Sequence, residues 1–208
     1  YSVAVCHNTK PDHSEYLGGQ NMTIKGIACQ ATGRLLGAQI IGGAGVDKRI
    51  DVLATAISLG ASVTDLTHLD LAYAPPFSTT KDPVMYAGMA LDNAINHGRP
   101  LITPQQLDAI AADPAIAGAL QLTIVDARIA EQYEKQHVPA AVNLPHADVR
   151  RALAEGALPH SHADDSHVFI TYCNKGTTGN AVQNILINRG YRKVYNISGG
   201  HSHYQSGQ

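Results

Sequence analysis

Residues 168–179 read VFITYCNKGTTG, a short apolar run that ends on Cys173 and turns through glycine and threonine into AVQNILINRG. Val, Phe, Ile, Thr and Tyr favour a strand, whereas Ala181, Ile185 and Leu186 recur at helical spacing before Gly190, so the stretch reads as strand, tight loop, helix. A cysteine at such a turn meets successive backbone N–H groups and the positive end of the helix dipole. Both favour a thiolate and gather anionic oxygens or sulfur. Cys173 is therefore the candidate catalytic residue, with Asn174, Lys175, Gly176, Thr177, Thr178 and Gly179 as the candidate substrate-binding loop. The competing reading is an inert core cysteine, where free thiols commonly lie.

Working outward, the second half alternates helix and strand. PQQLDAIAA follows a Thr103-Pro104 cap, LTIVDA at 122–127 is a strand, AEQYEKQ is helical and AVNLP is a short strand. A polar helix at 148–155 and a last strand at 193–197 complete the pattern. Alternation of this kind implies an α/β domain, a parallel sheet flanked by helices, with ligands beyond the carboxyl ends of the strands. The first half differs: residues 1–6, 22–29 and 35–41 are β-rich and joined by short turns, which predicts an antiparallel sheet in an α+β domain. Val46, Ile50, Leu53 and Ile57 form a helical stripe, Ser62 and Asp65 make a cap for a short second helix, and Asp82-Pro83 opens a third. Gly98 stops that helix, and Arg99-Pro100 interrupts the periodicity. The expected domains are therefore 1–98 and 101–208.

A net charge of −2 and a pI near 6.6 predict no affinity for nucleic acid or an anionic membrane. No apolar run approaches the ~20 residues of a membrane span. Three cysteines, with no paired spacing, suit a reducing cytoplasm better than a secreted disulfide framework. Cys6 and Cys29 lie in strand-like runs and are expected to pack in the core. Gly42–Gly45 lacks the Walker ending and the dinucleotide spacing. The histidine pairs His201/His203 and His160/His162 lack a matching third ligand, so they read as solvated residues and no metal is expected. Tyr1 is no initiator, and the chain reads as a piece of a longer protein.

GRLLGAQIIGGAGVDKRIDVLATAI followed by LDLAYAPPFSTTKDPV resembles the dimerisation domain of the FAD-dependent pyridine nucleotide-disulfide oxidoreductases, and most closely the CoA-disulfide reductase branch. The resemblance implies a homodimer through residues 1–98 whose subunits reach each other's active sites. It also implies that two tyrosines assist the partner's redox cysteine; by motif these are Tyr73, of AYAPP, and Tyr16, before the Leu-Gly-Gly turn. The competing reading for each is a packing ring with its hydroxyl satisfied. No G-x-G-x-x-G unit is present, so no cofactor is expected on this chain itself; FAD, NAD(P)H and CoA are implied for a full-length enzyme.

VDAR-x-x-E-x-Y-x-x-x-HVPAAVNLP, the CNKGTTG loop and the closing VYNISGG resemble the rhodanese family of sulfurtransferases. Asp126, Arg128, Glu131, His137 and Asn143 belong to this signature and are expected to pair and fix loops; Asp126, Arg128 and His137 are the supporting set around the site. The implied chemistry is sulfane-sulfur transfer through a Cys173 persulfide to a thiol, with a small persulfide, polysulfide or CoA thiol as partner. Many members carry an arginine where this chain has Thr178, so weak thiosulfate activity is expected, with Lys175 the only cation left in the loop. A cysteine phosphatase would need an arginine where Gly179 stands. The alternative from another class is a non-catalytic dimerisation and sulfur-carrier module.

Overall fold

A computed structural model describes residues 2–113, 121–158 and 167–206, and the chain divides into two units, Tyr1–Gly98 and Arg99–Gln208. Elements are numbered over the described residues.

In the first unit, β1 (Val3–Pro11), β2 (Asn21–Cys29) and β3 (Leu35–Ile41) form an antiparallel sheet in that order. Val3 pairs with Cys29 and Pro11 with Asn21, so β1 continues well past the six residues its apolar start suggests. A strand's side chains alternate between faces, and Ala4, Cys6, Met22, Ile24, Ala28 and Leu35 are buried on one of them. Three helices follow: α1 (Val46–Ser58), α2 (Val63–Thr67) and α3 (Pro83–Asn96). The Asp82 carboxylate accepts the Val84 N–H at 3.0 Å and Pro83 opens α3, while Ser62 and Asp65 cap α2 reciprocally. Val84, Ala87 and Leu91 of α3 face the core. Gly88 lets α2 close onto α3, because a Cβ there would stand 2.6 Å from that of Leu66.

The second unit holds β4 (Leu101–Ile102), α4 (Pro104–Ala112), β5 (Gln121–Asp126), α5 (Ala130–Lys135), β6 (Ala141–Asn143), α6 (Val149–Ala154), β7 (His167–Tyr172), α7 (Thr177–Asn188), β8 (Val194–Ile197) and α8 (Gly200–Ser206). Five strands pair in parallel in the order β4-β8-β7-β5-β6. All six residues of β7 are buried, as a central parallel strand covered on both faces requires. Phe169 and Cys173 join Val149, Val182 and Leu186 on one side. Ile170 and Tyr172 join Leu107, Val138 and Tyr204 on the other.

The two predicted folds are those observed, an α+β unit with an antiparallel sheet and an α/β unit with a parallel one. The unpredicted elements include the two-residue edge strand β4, too short for periodicity, a 3-10 turn at Glu15–Leu17, and α8. Among the described residues no helix is long and apolar enough to cross a membrane.

Candidate active site

Because β5 and β7 are neighbours, their carboxyl ends bring Asp126, Ala127 and Arg128 beside Cys173. Cys173 is 7% exposed, its side chain against the core beneath α7. Burial alone suits the inert reading; the loop around the thiol is built differently from a core. The Cys173 carbonyl accepts the His201 N–H at 2.8 Å, and the Asn174 carbonyl accepts the Ser202 N–H at 3.0 Å. A planar trans peptide directs its N–H opposite to its carbonyl, so the Asn174 and Lys175 N–H groups are turned away from α8. Gly176, at φ 93°, caps α7, and its carbonyl accepts the Asn180 N–H at 2.9 Å and the Asn196 side-chain amide at 3.0 Å.

Two glycines make this possible by leaving no Cβ. At Gly200 a Cβ would lie 2.3 Å from the Cys173 carbonyl oxygen and 2.7 Å from that of Asn174. At Gly179 it would lie 2.3 Å from Asn196 Oδ1 and 2.9 Å from Tyr172 Cα, so α7 crosses directly over the end of β7. Thr171 adds a hydroxyl bond to the Gly179 carbonyl at 2.9 Å. Thr177 is exposed and Thr178 and Lys175 half-buried.

Beside the loop, Arg128 donates to both oxygens of Asp126, with Nε at 2.9 and 3.1 Å and Nη2 at 2.6 Å. The same guanidinium reaches the Gln136 carbonyl at 2.7 Å and Asn174 Oδ1 at 3.4 Å, and lies 5.5 Å over the Tyr172 ring. Burial opposes ionisation of Asp126, yet hydrogen bonds from Arg128 and Tyr172 hold its carboxyl below the usual range. Burial, with the Asp126 carboxylate, pushes the Tyr172 phenol up; its oxygen accepts the Val138 N–H at 3.1 Å. A second cation thus touches the loop besides Lys175, but the adjacent carboxylate neutralises it. Asn143 ties the Asp126 and Arg128 carbonyls, as expected of a loop-fixing residue. His137 is exposed and stacked on Tyr133, and Glu131 is exposed.

His201 and His203 depart from the expectation of solvated residues. His201 is 5% exposed and stacked on Tyr172 at 6.1 Å, and His203 is half-buried. Burial first, then the Arg128 charge, lowers the His201 imidazole below its ordinary value. The physical reason lies in Gly199 and Gly200, both at positive φ, which turn the chain back under the cysteine loop. His160 and His162 lie outside the described residues. Among the described residues no group of three or more His, Cys, Asp or Glu could hold a metal.

In the first unit Tyr73 and Tyr16 are 52% and 78% exposed, and their segments are joined where the Ser14 N–H meets the Pro75 carbonyl at 3.4 Å. Cys6 is buried, its thiol pushed up to about 12 by desolvation and directed at the Ala87 carbonyl at 3.7 Å. Cys29 is buried at the end of β2, where the Thr32 hydroxyl and the Thr32 and Ala31 N–H groups lower its thiol pKa. Sequence reasoning missed Asn196, the N–H groups of His201 and Ser202, and the buried Arg49 in the first unit. The glycine pair in VYNISGG was the available signal for α8.

A family model described as the rhodanese-like domain matches residues 103–206, and one described as the pyridine nucleotide-disulphide oxidoreductase dimerisation domain matches residues 1–83. The NAD(P)H sulfur oxidoreductase (CoA-dependent) of Pyrococcus furiosus is 42% identical over 84 residues, 40% of this chain and 18% of that protein. The coenzyme A disulfide reductase of Staphylococcus epidermidis is 47% identical over 55 residues, 26% of this chain and 13% of that protein. Among solved structures, reduced CoADR-RHD of Bacillus anthracis superposes with a TM-score of 0.85 at 30% identity, covering 99% of this chain and 34% of that one. The NAD-dependent persulfide reductase of A. fulgidus gives 0.76 at 27% identity, covering 97% and 34%. This chain therefore spans about a third of the length of those structures and under a fifth of the curated relatives.

Proposed function

Because the chain belongs to the rhodanese-like family and carries a pyridine nucleotide-disulphide oxidoreductase dimerisation domain in its first half, we propose that it handles sulfane sulfur on Cys173 within a flavin-dependent CoA-disulfide or persulfide reductase. The Cys173 thiolate attacks the outer sulfur of a persulfide R–S–SH. A Cys173–sulfur bond forms, the donor's S–S bond breaks, and the RS⁻ that leaves takes the proton. An acceptor thiolate then attacks the outer sulfur of the Cys173 persulfide and restores the cysteine thiolate.

The observation that carries this reading is the loop whose Cys173, Asn174 and Gly176 carbonyls are all engaged by the protein's own donors. With those carbonyls held this way, the Asn174 N–H and the positive end of the α7 dipole serve an anionic sulfur on Cys173. Asp126, Arg128 and His137 support the site without taking part in sulfur transfer. With Thr178 in the loop and Arg128 neutralised by Asp126, a dianionic donor such as thiosulfate is held weakly, and an organic persulfide, glutathione- or CoA-based, is the preferred class. Residues 1–98 form the dimerising unit and 101–208 the sulfur-transferring unit. Tyr16 and Tyr73 serve the partner subunit's redox site, and the location is the cytoplasm. FAD, NAD(P)H and CoA are the cofactors of the full-length enzyme in this reading.

The test is mass spectrometry of the chain after glutathione persulfide, then after a thiol acceptor. An adduct of about 32 Da on Cys173 that the acceptor removes is the expected result. A Cys173→Ser chain that still transfers sulfur refutes the assignment. A stable adduct that no thiol removes would instead favour the sulfur-carrier reading, to which the absence of a loop arginine at Thr178 already lends weight.

A further inference from the structure

Arg49 takes no part in the sulfur chemistry, yet at 1% exposure it is among the largest fully buried side chains in the protein. Burying a guanidinium costs several kcal/mol unless its donors are used, and here they are spread over three segments. Nε and Nη2 grip the Asp82 carboxylate at 3.0–3.3 Å. Nη1 donates to the Gly45 carbonyl at 3.2 Å. Nη2 also donates to the Asp12 carbonyl at 2.7 Å, and to the Phe77 carbonyl and Ser78 hydroxyl, both at 3.4 Å.

Two of those segments are the loops that carry Tyr16 and Tyr73. Asp12 closes the first, its carboxylate accepting the His13 and Gln20 N–H groups at 2.9 and 2.7 Å. Ser78 closes the second, its hydroxyl donating to Asp82 at 2.9 Å and its N–H to the Ala74 carbonyl at 3.0 Å. The Ser14–Pro75 bond then joins the loops directly. A hydrophobic residue at position 49 could fill the same volume; only a forked cation can hold three backbone carbonyls and a carboxylate at fixed spacing.

We propose that Arg49 is the positioning residue for Tyr16 and Tyr73: it sets the two loops so that both phenols are presented together, and it rests on the reading that these tyrosines serve the partner subunit. The proposal is tested with 3-fluorotyrosine placed singly at positions 16, 73 and 195 of the full chain, in the Arg49→Lys and Ser78→Ala variants. In Arg49→Lys the fluorine signals at 16 and 73 shift and broaden together, while the Tyr195 signal and the exchange protection of the Ile24 amide stay as in the parent. In Ser78→Ala the signal at 73 moves and the signal at 16 does not. Unmoved signals in a folded Arg49→Lys chain overturn the assignment. If Arg49→Lys does not fold, an unmoved Tyr73 signal in Ser78→Ala does so. In the flavin-containing dimer, Tyr16→Phe and Tyr73→Phe each lose turnover, and Arg49→Lys added to the pair causes no further loss. Full turnover in the phenylalanine variants overturns the tyrosine reading instead, and a loss from Arg49→Lys that adds to theirs overturns the positioning role alone.

Discussion

Asp126→Asn is the perturbation that most directly tests why the loop beside Cys173 holds its shape. The carboxylate is fully buried and accepts Arg128 Nε, Nη2 and backbone N–H at 2.6–3.1 Å. Asparagine keeps the volume and one acceptor oxygen, but it removes the counter-charge and turns an N–H₂ toward a guanidinium that is itself 5% exposed. Leaving a buried charge unpaired costs about 3–5 kcal/mol. At roughly 4 °C per kcal/mol for a unit of this size, melting falls by about 12–20 °C. The pH dependence follows from the same pair. The folded chain keeps Asp126 ionised at pH values where the unfolded chain, with an ordinary carboxyl near 3.8, already binds a proton. The stability contributed by Asp126 is therefore complete above about pH 4 and is lost as pH falls through the depressed folded value. Urea unfolding read from the Val125 and Ile170 amide signals, at pH 7 and at pH 3, measures both quantities. The variant should be less stable at pH 7, and its acid sensitivity should shrink by the share that belongs to Asp126. A loss under about 1 kcal/mol at pH 7, or an unchanged acid slope, would refute the account of the pair as the loop's anchor.

Gly200→Ala puts a methyl group 2.3 Å from the Cys173 carbonyl oxygen at a φ of +62°; persulfide loading should fall at least tenfold while Cys173 remains present and free, as read by mass spectrometry against the parent. Thr178→Arg restores a cation to the first turn of α7 and should raise thiosulfate:cyanide transfer by an order of magnitude, about 1.4 kcal/mol, with little change toward glutathione persulfide; no gain in thiosulfate activity would show that the loop's charge does not set donor preference. Cys6, with its thiol pushed up to about 12, should resist iodoacetamide in the native chain up to pH 9. Cys29, whose thiol is lowered by the Thr32 hydroxyl and nearby N–H groups, should alkylate faster than Cys6 once the 30–33 turn opens, with peptide mapping to separate them. Leu91→Ala removes a fully buried side chain from α3 and should cost the first unit about 2–5 kcal/mol in urea unfolding.

The two fold classes were legible because their signals are local. A β-branched and aromatic run before a glycine-rich turn can do little but form a strand and a loop, and helical spacing after it dictates α7. Cys173 at that junction, the Asp126–Arg128 pair two residues apart, and the reciprocal cap of Ser62 and Asp65 share this property, since each partner lies within a few residues of the other. What escaped had partners far along the chain. Arg49 looked like one charge among several on an amphipathic helix, VDKRID; its burial comes from Asp82 and Asp12, 33 and 37 positions away. GHSHYQS carries too little apolar periodicity to announce a helix, and α8 matters only because its first N–H groups meet carbonyls of a loop nearly thirty residues earlier.

By itself, then, the sequence determined the kinds of element, their order, the two-unit division and the place of Cys173 at a strand-to-helix turn, because strand, turn and helix propensities act over a few neighbouring residues. Only the tertiary structure decided which polar groups would be buried together: Arg49 among three loops, His201 beneath Tyr172, and Asn196 against Gly176. Hydrogen bonds and ion pairs between distant segments have no footprint in local periodicity. They form only after the sheet and its helices have fixed where the chain returns.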